Sequence, residues 1–164
     1  MLSWLLRQLS GTPIVGANFN LEVSAMGTLG HTLLAGAIAG VIGIMTSWFI
    51  TGVLVHPLQA ETPNTWRPNE GPAQYAGASA ITLCAALIVS VFFALTGGVH
   101  VAGVHAGLMN GLTFGVLCWA ALALPVLLSM SLFVNMRRGF VLGLMLDWLL
   151  VSVIAGGLAG WLGR

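Results

Sequence analysis

Few residues of this 164-residue chain could do chemistry, and Asp147 is the first of them. It sits in "LMLDWLL" and is the one acid inside a long apolar run. A carboxylate surrounded by hydrocarbon is costly unless it is paired, hydrated or protonated. Counting from Gly139 at ~1.5 Å per residue places Asp147 ~12 Å into its helix. On a helical wheel it lies close to Gly143, with Arg138 roughly opposite and Arg137 well off its face, so a simple bridge to either arginine is not expected. Hydrogen-bonding groups at similar depth are Ser47, Thr51, Thr82 and the carbonyl near Ala121 that Pro125 leaves free. Two roles follow: a protonatable group on a proton or substrate path, or a neutral acid tying helices together for ~1 kcal/mol. Proton paths use chains of ionisable residues, and none is evident, which favours the tie.

The histidines are the next candidates. His100 and His105 stand near one side of the membrane with His31, while His56 stands near the other. A histidine can ligate haem iron or chlorophyll magnesium. Ala102, Ala106 and Gly107 near His105 would admit a flat ring. No cofactor is the leading expectation, with haem or chlorophyll on His105 or His100 as the remote one. No metal is expected, because Cys84 and Cys118 lie in apolar runs and no CxxC spacing exists. Nucleophile elbow, HExxH, P-loop and dinucleotide fingerprints are all missing. Glu61 and Glu70 share a loop with Trp66 and Arg67, where local salt links suit them better than acid–base catalysis. An enzyme is therefore not expected.

The elements that must position these residues are membrane helices. The chain is 58% hydrophobic and 5% charged, with five arginines, four acids and no lysine. Soluble domains carry about 25% charged residues. A net charge of +1 offers no basic patch for nucleic acid. About 20 apolar residues cross the hydrocarbon core, and four segments meet that requirement: about 32–55, 75–95, 101–133 and 139–161. The third is long for a perpendicular crossing and contains Pro125, so a tilt or kink near Ala121–Pro125 is expected. "HPLQAETPNTWRPNEGPAQ" holds four of the six prolines and forms a polar loop between the first two spans. "TGGVH" reads as a tight turn and "VNMRRG" is nearly as short, so spans two, three and four pack as antiparallel neighbours. The fold class is an all-α, up-and-down four-helix bundle in lipid.

Residues 1–30 form a separate N-terminal segment. Leu2, Leu5, Leu6 and Leu9 fall at helical spacing around Arg7 and Gln8, which suits a helix lying at the interface; no convincing signal peptide is present. Trp4, Trp66 and Trp161 mark membrane boundaries, and Trp48, Trp119 and Trp148 lie deeper as core packing. Even crossing puts both termini on one side. Arg67, Arg137 and Arg138 lie on the other, against Arg7 and Arg164, so the positive-inside rule makes the termini periplasmic in a bacterial inner membrane.

Glycine patterning dominates the third span. "GVHAGLMNGLTFG" steps Gly103, Gly107, Gly111 and Gly115 at four-residue intervals, although glycine costs ~1 kcal/mol per helix-interior position in water. In lipid this stripe is a groove for another helix, whose backbone can approach closely. Asn110 borders the stripe and His105 points away from it. Gly36–Gly40, Gly139–Gly143 and Gly156–Gly160 repeat the pattern, so every span but the second carries a seam. Whether the inserted helix is internal or from another subunit stays open at this level.

"SWFITGVLVHPL", Trp66, "YAGAS", the Gly103–Gly115 steps and "LMLDWLL" together resemble a bacterial family of small four-helix membrane proteins, domain-of-unknown-function family 1761. The resemblance covers about residues 35–162 and implies the same fold, without an activity to transfer. The expected function is a non-catalytic membrane protein that packs through glycine seams, as an accessory subunit of a larger membrane complex or as a homo-oligomer. The alternative is a small transporter or channel protomer in which Asp147, Asn110 and Ser152 line a path. A haem- or chlorophyll-binding bundle is third.

Overall fold

A computed structural model describes residues 14–55, 57–58, 71–99, 107–134 and 136–163, with side chains from residue 29 onward. The helices are α1 (Ile14–Ser47), α2 (Pro72–Thr96), α3 (Leu108–Cys118), α4 (Leu124–Phe133) and α5 (Arg138–Leu162). Two wider π-helical stretches extend them, Trp48–Val55 after α1 and Trp119–Ala123 between α3 and α4. The described residues contain no strand. Four helices are long and apolar enough to cross a membrane: Leu29–Val55, Pro72–Thr96, Leu108–Phe133 and Arg138–Leu162. The protein is an all-α integral membrane bundle.

Helix α1 runs unbroken from Ile14 to Ser47, so the described part of the N-terminal segment continues as helix into the first span. The leucine-rich stretch at 2–9 lies outside the described residues.

The described part of the third span begins at Leu108, directly after Gly107, whose φ of 107° lies in the region that favours glycine and that no helix interior adopts. Span two ends at Gly97 (φ 68°) and Gly98 (φ 82°), which turn the chain left-handed while both amides donate to Phe93 O. Gly103, His100 and His105 lie outside the described residues. Of the described ladder glycines, Gly107 precedes the first turn of α3, and Gly111 and Gly115 are interior steps.

Pro125 explains the other irregularity of this span. It has no amide hydrogen, and its ring crowds the carbonyl one turn back. The chain accommodates it by widening at Trp119–Ala123, where the Leu124 N–H donates to Trp119 O five residues earlier. The expected distortion near Ala121–Pro125 is present as this π turn. Apart from Gly52, nothing in the sequence marks the longer widening at Trp48–Val55.

The core is built from small residues and the surface from large ones. Ala39, Ala86 and Ala155 are fully buried, whereas Phe133 is 87% exposed and Leu132 81%. Lipid is as apolar as leucine, so burial of large side chains gives no drive for helices to associate; close backbone packing does. The fourth span touches each of the other three. Spans two and three meet mainly near their linked ends, where Phe114 packs against Phe92 and Phe93 at ring distances of 6.0 and 5.4 Å.

The glycine seams explain that closeness. A Cβ on Gly160 would lie 2.5 Å from Gly107 O and 3.0 Å from Gly111 Cα. A Cβ on Gly111 would strike the Gly156 carbonyl, and one on Gly115 the Ser152 carbonyl. Spans one and two lock similarly, with Gly36 Cβ placed 2.9 Å from Leu87 Cα and Gly40 Cβ 3.1 Å from Leu83 Cα. The start of α5 receives the end of span one, since a Gly143 Cβ would sit 2.7 Å from Val55 Cγ1 and a Gly139 Cβ 3.1 Å from Leu58 Cδ1. Every described glycine seam is filled by a helix of the same chain. That resolves the internal-or-external question in favour of internal packing.

Candidate functional site

Several hydroxyls in the spans bond within their own helix. Thr46 donates to Gly43 O, Thr82 to Ala78 O, Thr113 to Met109 O and Ser131 to Leu128 O, the usual recourse of a hydroxyl without water. Ser47 and Thr51 depart from this habit. They stand one turn apart where α1 passes into its π stretch, and both reach across to the fourth span. Ser47 Oγ donates to Asp147 Oδ1 at 2.8 Å, and Thr51 Oγ1 donates to Asp147 Oδ2 at 3.2 Å. Asp147 is buried. The two hydroxyls take one carboxylate oxygen each, forming a clamp between spans one and four.

Packing on either side holds the clamp in register. One layer deeper, a Cβ on Gly43 would sit 3.2 Å from Thr82 Cγ2 and 3.4 Å from Val151 Cγ2, so three spans meet at that glycine. Toward the α5 start, Ile50, Val55 and Phe140 form a buried cluster joined by Met136, Leu144 and Leu150. The third span contributes through its own π turn, where Trp119 Nε1 donates to Met145 O at 3.0 Å. Both widened stretches therefore pack on the fourth span around Met145–Asp147.

Of the partners expected for Asp147, Ser47 and Thr51 are present. Thr82 instead bonds its own helix. Trp119, expected only to pack, turns out to donate across helices; Pro125, six residues on, was the available signal for the widening that aims it. Ser90 was also missed: fully buried, it donates to Ala155 O at 3.4 Å and ties span two to span four.

Asn110 has a different task. Its Oδ1 accepts the Val99 N–H at 2.7 Å and its Nδ2 reaches Gly97 O at 3.5 Å, so it fastens the left-handed turn after span two onto the start of α3. Gly107 and Gly111 pack beside Gly160 and Gly156, which puts Asn110 about ten residues, or ~15 Å, along the fourth span from Asp147. Ser152 is buried at the third–fourth seam between them. The structure does not bring Asp147, Asn110 and Ser152 together.

His31 is exposed at the start of span one, and His56, His100 and His105 lie outside the described residues. Among the described residues no group of three or more His, Cys, Asp or Glu side chains is placed to hold a metal ion. An apolar groove of about 390 Å³ lies between spans one, three and four, away from the clamp and edged by Trp161. Chemically, the clamp can hold two helices together and can exchange hydrogen bonds at one carboxylate.

No protein-family model matches the chain, and neither a curated protein nor a solved structure is significantly similar to it.

Proposed function

We propose that the protein is a non-catalytic membrane subunit: a self-locked bundle that offers the second half of its third span to another membrane polypeptide. The observation that carries this reading is the asymmetry between α4 and α5. Helix α5 buries ten residues, from Phe140 to Gly160, whereas none of the ten residues of α4 is buried. From the π turn onward, the third span packs only lightly on the fourth and is apolar apart from Ser129 and Ser131, with Leu122, Val126, Leu132 and Phe133 all more than half exposed. The glycine seams are used inside the chain, so the partner surface is this splayed helix rather than a glycine groove. A helix of an accessory complex or of a second copy fits there. The proposed setting is a bacterial inner membrane, with Arg67, Arg137 and Arg138 on the cytoplasmic side and the termini periplasmic.

Photo-crosslinkers placed at Val126 and Leu132 in native membranes test the reading. Discrete protein adducts are expected there and not at Ile88, which is equally exposed on span two. Adducts to lipid alone at all three positions would defeat it.

A further inference from the structure

We propose that Asp147, Ser47 and Thr51 form a reversible proton-binding site inside the bundle, an inference that goes beyond the subunit role and does not depend on it. The argument begins with what the carboxylate meets. Arginine can only donate, and a backbone carbonyl can only accept; a partner of either kind would suit one charge state of Asp147. Hydroxyls do both, and here both oxygens of the carboxylate face one. The same two residues can therefore satisfy the ionised and the neutral acid without moving a helix.

The groups that titrate or carry charge on the packed elements are few. Span one contributes His31 at its far end, span two Tyr75 and Cys84, and span three Cys118. Span four carries Arg137 and Arg138 at its start, and the nearer of them is nine residues, ~13 Å, from Asp147 along the helix. The four spans contain no second carboxylate. Among the described residues the spans place no fixed countercharge beside Asp147, and a proton can balance it.

At 2.8 and 3.2 Å the hydroxyl and carboxylate oxygens are in direct hydrogen-bond contact, and among the described residues no group of three or more His, Cys, Asp or Glu side chains is placed to hold a metal ion. The proton is assigned to Oδ2, which has the longer hydroxyl contact. A hydronium ion gives up its proton and becomes water, and an Oδ2–H bond forms. Thr51 Oγ1–H turns from Oδ2 to a carbonyl one turn back in its own helix, as threonine does readily. Thr51 Oγ1 then accepts the new Oδ2–H, while Ser47 continues to donate to Oδ1. Release reverses each step.

Asp147 is the only aspartate in the sequence, which allows a single-site test in the unaltered chain. The full-length protein, labelled with ¹³C-carboxyl aspartate, is reconstituted in lipid vesicles and titrated while its infrared spectrum is recorded. The expected result is a labelled carboxyl C=O band that interconverts with the labelled carboxylate band as pH changes, at constant helicity by circular dichroism. Thr51→Val should displace the carboxyl band, because the neutral acid loses its acceptor. A labelled band that stays carboxyl, or stays carboxylate, at every pH where the protein remains helical overturns the proposal. So does a carboxyl band that Thr51→Val leaves in place.

Discussion

The fourth span is held on two sides by opposite means. Against the third span it lies backbone to backbone, with Gly156 and Gly160 set against Gly107, Gly111 and Gly115, and along this seam shape supplies the specificity, with one hydrogen bond from Trp119 Nε1 to Met145 O beyond it. Against the first span it is held through Asp147, where two hydroxyls and a carboxylate do the work at ordinary hydrogen-bond distance. The contrast shows how a chain with so few polar groups fixes its topology. A glycine seam fixes distance and tolerates no added volume, because the neighbour at fault is a carbonyl and cannot rotate away. A polar clamp fixes register and tolerates any substitute that still pairs, because side chains can turn.

Substitutions should separate the two sides, beginning where the effect is largest. Gly115→Leu drives a side chain into the Ser152 carbonyl and Val153 Cα, so the third and fourth helices must part. The expected loss is at least ~3 kcal/mol, read as a collapse of the thermal transition in mild detergent. Asp147→Leu removes both cross-helix hydrogen bonds while keeping similar volume, and should lower stability by ~1–2 kcal/mol; Asp147→Asn, which can still accept from Ser47 and donate to Thr51, should recover most of it in the same assay. Asn110→Ala frees the Gly97–Val99 turn and should cost ~1 kcal/mol, seen as faster hydrogen exchange at the Val99 amide. Gly77→Ala is the null end of the series. Nothing lies within 4 Å of the added methyl, so the transition should move by less than ~0.5 kcal/mol.

The same contrast explains what was legible in the sequence. The four spans could be read because lipid demands long apolar runs, and the three described seams because small residues at four-residue steps have few other uses in a helix. Ser47 and Thr51 were placeable opposite Asp147 because antiparallel helices pair depths by simple counting. Counting could not choose between them and Thr82, since that depends on which way each hydroxyl rotates. The positive φ at Gly107 was not legible for a related reason, because its neighbours in sequence are as apolar as those of a helix interior. Glycine permits that conformation without announcing it. The π stretch at Trp48–Val55 left still less trace, with Gly52 the one helix-weakening residue inside it.

The most direct test of internal locking is Gly156→Leu, with stability and oligomeric state measured on one sample. A Cβ at Gly156 strikes the Gly111 carbonyl of the same chain. The monomer in mild detergent should therefore lose its cooperative thermal transition, with the change independent of protein concentration. A monomer that unfolds as the parent chain does, while a larger species disappears, would place the seam between subunits and contradict the account.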